Sequence, residues 1–482
     1  MQTQKNIFYN VLLAISQVLF PLITFPYLAR VLGPENIGLY NFSESYARYF
    51  ALVAALGISV YGVREIAKKQ DQPKALSNTF TELFLINFIA TCLLSVVYIC
   101  TIIYSNKLSS NATLFYWSFI FFFFQVFVLE WFFTGINQFK FIAVRFFIIR
   151  LIFVAAIFMF IKEANDYVKY MQLQVGLTFF LGVINFIYLF KFIDIKSTRL
   201  KDINLIKHLK PLFLLFLTIF SISVYLHFDT VLLGILADNE SVGYYSAPLK
   251  LVKIIIAVLA AITAAMFPKM VQYFEQGELV QFKKMLNQSF ELIMSIGIPT
   301  ALLVYLLAPE IIFILFGSSF KLAIIPLRIT APLILIVSLS TIFGFQILSV
   351  HSKDSAILKS AAVGMLFSLV ASFILIPRFK QEGAAYIILF TELLVLSLFI
   401  YYSSKVVQLQ NTKQVIIREI IFSIPYFILP YLISTFVTAI IIKLLIVLSC
   451  SLLWFIAVHF FFVKTSVFRT LVTDILISRI KK

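Results

Sequence analysis

Charge is scarce in these 482 residues, where Asp, Glu, Lys and Arg make up 13% of the chain, about half the share of a soluble domain. Acids are scarcer than bases, 22 against 39, for a formal net charge of +17. Cysteine is nearly absent: Cys92, Cys100 and Cys450 each lie inside an apolar run, with no CxxC pair. That excludes a disulfide scaffold and a thiolate metal site, and predicts three small buried apolar side chains. The four histidines, His208, His227, His351 and His459, lack metal-ligand spacing. GxGxxG, Walker A, HExxH and GxSxG are all missing, so the sequence offers no cofactor, ATP or catalytic motif. Hydrocarbon is what abounds: 61% hydrophobic residues, 55 Phe, 22 Tyr and a mean hydropathy of +1.00. So apolar a chain cannot hide itself in a soluble core, which leaves a polytopic membrane protein. The basic excess would suggest nucleic acid in a soluble protein; here it belongs to cytoplasmic loops, and no nucleic-acid partner is expected.

A bilayer core of ~30 Å needs about 20 mostly apolar residues per helix. Fourteen stretches qualify, near 7–30, 41–63, 80–103, 113–133, 143–161, 170–190, 211–236, 243–268, 289–309, 322–349, 355–377, 383–403, 418–441 and 443–463. The last boundary rests on Lys443 alone. The run from Ile7 has no small-residue cleavage pattern after it and reads as the first span, not a removed signal peptide. With the N-terminus inside, 26 of the 39 cations fall in inner segments and 8 in outer ones. That bias predicts both termini in the cytoplasm. Arg145 counts among the inner loop cations, and Trp131 at the end of the fourth span reads as an interface anchor. Residues 191–210 form a basic, mildly amphipathic linker along the inner surface, and the tail from Lys464 reads as an interfacial helix.

After the first span comes Gly33-Pro34-Glu35-Asn36-Ile37-Gly38-Leu39-Tyr40; after the seventh comes Asp238-Asn239-Glu240-Ser241-Val242-Gly243-Tyr244-Tyr245. The match predicts a parallel repeat of two six-span halves, 1–190 and 211–403, followed by two more spans over 404–463 and a tail, 464–482. Ten residues after each glycine sits a cation, Arg48 and Lys253. Glu44, Arg48, Glu130, Arg150, Asp229, Lys250, Lys253, Arg328 and Glu392 lie within spans, where each costs roughly 2.5–3.5 kcal/mol at mid-membrane. The set predicts a polar cavity between the halves rather than nine separate ion pairs. Asp229 is the best candidate for a protonatable or cation-coupled carboxylate, with Glu44 and Glu130 as further cavity acids. Glu392 could snorkel. Pro21, Pro26, Pro425 and Pro430 free backbone carbonyls and permit bends.

The segment Tyr27-Leu28-Ala29-Arg30-Val31-Leu32-Gly33-Pro34-Glu35-Asn36-Ile37-Gly38, with Leu56-Gly57 and Tyr61-Gly62-Val63-Arg64-Glu65, resembles the N-terminal signature of the Wzx-type O-antigen flippases. These form the polysaccharide transporter branch of the multidrug/oligosaccharidyl-lipid/polysaccharide (MOP) exporter superfamily. Glu130-Trp131-Phe132-Phe133-Thr134-Gly135, Phe267-Pro268, Leu315-Phe316-Gly317 and Glu382-Gly383-Ala384-Ala385 extend the match along nearly the whole chain. Thr134 departs from it, where the family often has glutamine.

The resemblance implies an all-α fold of two six-helix bundles in a V, as in MATE exporters, plus two C-terminal helices. It implies an inner-membrane flippase for undecaprenyl-diphosphate-linked O-antigen, capsule or exopolysaccharide units, driven by a proton or sodium gradient. A polysaccharide polymerase and a chain-length regulator are its expected partners. A diphosphate needs cations; Arg30, Arg48, Lys250 and Lys253, with Arg150 and Arg328, are the candidates to line its path. A multidrug antiporter, a lipid II flippase and, from a different class, a membrane glycosyltransferase or polymerase remain as alternatives.

Overall fold

A computed structural model of the chain describes residues 2–194, 203–437 and 439–462. Residues 195–202 of the expected linker and the tail from 464 lie outside the described residues. Among the described residues every regular element is helical. Hydrocarbon dictates this, because a helix is the open-chain structure that satisfies its own backbone polar groups without water.

Ten helices are long and apolar enough to cross a membrane, or twelve when two bent pairs each count as one span. Two of these are double. Asp354–Ser404 has 51 residues and would reach roughly 75 Å if straight, more than twice a ~30 Å core. It folds back instead. Lys380 leaves helical dihedrals at φ 44, ψ −124, and a Cβ added to Gly383 would stand 2.6 Å from the Leu375 carbonyl oxygen. Residues that far apart along a straight helix are ~12 Å apart, so this is a helical hairpin.

Gln2–Ala55 breaks likewise at Gly33, whose φ of 75 suits a residue without a Cβ. Before the break, Phe20 and Tyr27 run alongside Phe147 and Phe158 of the Phe139–Phe160 helix. Near the break, Asn36 donates to the Ala164 carbonyl at 2.8 Å. Beyond it, Tyr40 packs at 4.1 Å, tilted, against Tyr170, which also meets Phe153. The chain therefore rises along one helix and returns along its neighbour. Opening these two double elements recovers the fourteen expected stretches.

Three local expectations are corrected. The final turn falls between Phe436 and Ile440, not at Lys443, which occupies the first turn of the last helix. A lone charge between apolar runs reads as a boundary, but this one is spent on Glu310, 2.5 Å away. Cys92 and Cys100 are exposed and Cys450 half-buried, because an apolar run does not distinguish an inward side from a lipid-facing one. Trp131 is no interface anchor: it is buried and stacks on Phe80 at 5.7 Å.

The chain forms two compact units, Met1–Gly243 and Tyr244–Lys482. In the first, Ile58, Leu76, Phe80, Leu83, Phe132 and Leu212 share one buried cluster. A column of rings, Tyr46, Phe50, Tyr98 and Phe122, runs through the same unit. The two repeat glycines meet inside this unit. A Cβ on Gly38 would overlap the Asn239 carbonyl, and one on Gly243 would overlap the Pro34 carbonyl. Each glycine thus admits the backbone four residues before the other, which explains why both motifs need glycine there. In the second unit, the Asp354–Ser404 hairpin packs against Ile324–Thr330, Leu333–Ser340 and the π-helical Thr341–Ser349.

Candidate functional site

Tyr40, Glu44 and Arg48 recur at four-residue spacing and so share one face of their helix. Arg48 Nε and Nη2 both donate to Glu44 Oε1, at 3.0 and 2.6 Å, and its guanidinium lies 5.1 Å from the centre of the Phe121 ring. Glu44 is largely covered while the Arg48 side chain stays 51% exposed. One edge of the guanidinium fork is therefore committed, out of five N–H donors. Arg150 is half-buried over Phe146 and Phe153, at 5.3 and 5.7 Å, within electrostatic range of Arg48 and Glu44. The Tyr40–Tyr170–Phe153 rings join the two helices that carry these arginines. Arg48, Glu44 and Arg150 thus form one cationic group on the first unit.

The other residues of that unit do different work. Arg30 is exposed on the first helix, close to the Gly33 break. Asp229 is 3% exposed, and its Oδ1 accepts from the Thr230 backbone N–H at 2.7 Å. It opens the short Asp229–Leu236 helix after a break in the seventh span. Tyr49, which hydrogen-bonds the Ser223 carbonyl at 2.7 Å and packs on Phe228, lies within its field. The side chain of His227 lies outside the described residues.

Glu130 is half exposed and meets Arg145 Nη2 at 3.3 Å. Arg145 is not the loop cation its sequence position suggested. Its side chain is buried in the Phe139–Phe160 helix, where it also donates to Asn185 Oδ1 and lies over Phe141.

On the second unit, Lys250 and Lys253 are half-buried one turn apart on Asn239–Ala264. Glu392 is buried, 2% exposed, and Lys253 is the charge that acts on it. Snorkelling is thereby excluded for Glu392. Arg328 lies 5.7 Å from the Tyr305 ring centre, with its Nε buried and without a hydrogen-bond partner.

Several buried carboxylates escaped the sequence reading, Glu82 and Glu419 among them. Glu82, in the third turn of Pro73–Tyr104, is fully buried. Its Oε1 accepts from the Asn204 N–H and from Lys207 Nζ, both at 2.8 Å, and its Oε2 lies 2.9 Å from His208 Nε2. His208 Nδ1 meets the Tyr61 hydroxyl at 2.9 Å. A carboxylate only accepts, so Nε2 carries a proton. Glu82 thus anchors the chain where it leaves the linker. Glu419, also buried, takes Arg418 at 2.6 Å and lies 3.3 Å from His459 Nε2, while Arg418 reaches Glu291 at 2.8 Å. The available signal was an acid a few residues inside an apolar run; the partners of Glu82 lie 122 to 126 positions away, whereas Glu419 pairs with the adjacent Arg418 as well as with the distant His459.

The fold is shared with solved MOP-superfamily structures. One is a lipid II flippase MurJ in an inward closed conformation, with TM-score 0.66 and 14% identity over 94% of this chain and 99% of that one. Another is an inward-facing multidrug resistance MATE family transporter, with TM-score 0.62 and 13% identity over 83% and 96%. Among curated relatives, a putative O-antigen transporter of Escherichia coli is 25% identical over 83% of this chain and 96% of its own length. A probable low-salt glycan biosynthesis flippase of Haloferax volcanii is 26% identical over 33% of each chain. Residues 3–274 match the model of the polysaccharide biosynthesis protein family. Carrying that match over more than half its length, together with the Wzx-type N-terminal signature, this chain belongs to the polysaccharide biosynthesis protein family.

Proposed function

We propose that the protein is a flippase, not an enzyme, that moves undecaprenyl-diphosphate-linked oligosaccharide from the inner to the outer leaflet of the bacterial inner membrane. The unit moved is an O-antigen, capsule or exopolysaccharide repeat. The observation that carries this is Arg48: a guanidinium inside a membrane span, half exposed, with one edge on Glu44. A cation held ready in hydrocarbon is costly, and a diphosphate is the anionic partner that would repay it with charge-assisted bonds. Arg150 beside it, Arg30, and on the second unit Lys250, Lys253 and Arg328 supply further cations for the passage. Family membership and the named transporters and flippases among the relatives support the reading.

In this scheme both termini are cytoplasmic, and the halves 1–190 and 211–403, followed by two further helices over 404–463, alternate access. Transport runs on a proton or sodium gradient without ATP, with Asp229, Glu44 and Glu130 as the coupling and cavity acids. The polymerase and chain-length regulator act after release.

Arg48→Ala and Lys253→Ala are expected to fold and to abolish surface polysaccharide when each replaces the wild-type copy in cells. Normal surface glycan in the double variant overturns the assignment. Asp229→Asn is expected to remove the pH or sodium dependence of transport in proteoliposomes; unchanged ion dependence rules Asp229 out.

A further inference from the structure

Glu392 is a buried carboxylate of the second unit to which the transport scheme gives no task. It sits midway along the second arm of the Asp354–Ser404 hairpin and is 2% exposed. Ile388, Val395 and Leu396, one turn to either side, are buried with it. The adjacent Thr391 hydroxyl donates to the Ile387 carbonyl at 2.7 Å, not to the carboxylate. Of the helices packed on this hairpin, Leu333–Ser340 and Thr341–Ser349 carry no ionisable side chain, and Ile324–Thr330 carries Arg328, which lies over Tyr305. The positive charge that acts on Glu392 comes from Asn239–Ala264, where Lys253 is half-buried, one turn after Lys250.

A carboxylate so buried holds its charge at a cost that a nearby cation offsets. Lys253 is also one of the cations assigned to the diphosphate. A diphosphate that engages it must draw it from Glu392, so carboxylate and ligand compete for one ammonium. Such competition suits a carrier. A site that gripped its anion with every cation at full strength would keep it, whereas passage needs binding favourable enough to enter and weak enough to leave.

We propose that Glu392 is a positioning residue that sets how tightly Lys253 holds the diphosphate, competing for the ammonium and taking it back when the ligand leaves. Glu392 itself touches no ligand and acts through Lys253. The inference rests on the assignment of Lys253 to the diphosphate.

Calorimetric titration of the purified full-length protein with farnesyl diphosphate, a short prenyl diphosphate, tests this. Glu392→Gln removes the competing charge and is expected to bind about tenfold or more tightly than the wild type, while surface polysaccharide in cells carrying it falls at least three-fold. An acid with a merely structural role would lose binding and export together. Glu392→Leu, which suits the apolar surroundings, should show the same gain and keeps the test decisive if Glu392→Gln fails to fold. Glu392→Asp keeps the charge and should stay within three-fold of the wild type. In a Lys253→Gln background the gain from Glu392→Gln should drop below three-fold, because the contested ammonium is gone. Equal or weaker binding by the Gln and Leu variants, full surface polysaccharide alongside tighter binding, or an undiminished gain without Lys253 overturns the proposal and leaves the diphosphate reading standing. No binding by the wild type overturns both.

Discussion

Glu82 is the most exacting place to test the packing. Its carboxylate accepts from Asn204, Lys207 and His208, and His208 is itself 2% exposed. The three donors differ in what they lose when the acid goes. Lys207 is 43% exposed and turns to water, so its share is about 0–1 kcal/mol. His208 has no such recourse, and a buried donor left unpaired costs about 1–3 kcal/mol. With the cavity left by the missing side chain, Glu82→Ala should destabilise by about 3–5 kcal/mol, the range for breaking a buried pair.

Glu82→Gln keeps an acceptor for Asn204 and Lys207 but turns an NH2 group toward His208 Nε2. The imidazole can answer by moving its proton to Nδ1 and donating to the Tyr61 oxygen. That variant should lose only about 1–2 kcal/mol. Denaturant titration of the detergent-solubilised protein measures both. Amide exchange over residues 203–212 should quicken about tenfold or more in Glu82→Ala, because the Asn204 N–H loses its acceptor. In a double-variant cycle, Glu82→Ala and His208→Ala should couple by at least ~1 kcal/mol. Additive losses, or equal losses for the Ala and Gln variants with unchanged exchange, refute the reasoning.

Other expectations follow from close contacts. Gly383→Val places a side chain against the Leu375 carbonyl and should abolish folded, monodisperse protein in detergent, while Gly176→Ala, with nothing nearby to meet its Cβ, should change stability by less than about 1 kcal/mol. Gly38→Val should be as damaging as Gly243→Val, since each glycine admits the other's backbone; a large difference between them in expression or thermal stability would contradict the reciprocal packing. Cys92 and Cys100, both exposed, should react with a lipid-soluble maleimide in membranes under native conditions. Failure of both to label would place them inside the bundle. Lys443→Ala should cost about 3–5 kcal/mol by stranding the mostly buried Glu310, and Lys443→Ala/Glu310→Leu should recover part of it, read by the same titration.

Much of the architecture could be read from composition, and the reason is the solvent. In hydrocarbon each spanning segment must close its own hydrogen bonds, so apolar length alone foretold helices and their approximate ends. It foretold as well that the 51-residue Asp354–Ser404 element would hold two spans. The motif around Gly33 and Gly38 was visible too, because tight turns and close backbone approach admit few residues besides glycine.

Pairing was beyond the sequence. Glu82 and His208 lie 126 positions apart, and Glu310 and Lys443 are 133 apart. Nothing in an apolar run says which side faces protein and which faces lipid, so Cys92 and Trp131 were misread in opposite directions. Arg145 reads from its position as a loop cation, although its side chain is buried against Asn185 and Phe141. Segment hydropathy alone was enough to mark out the candidate spans, since crossing depends on the transfer free energy of each segment separately. Which charges are buried together, and which, like Arg48, keep an exposed edge, was decided only by tertiary structure, because an ion pair's partner is set by helix packing and not by the residues beside it.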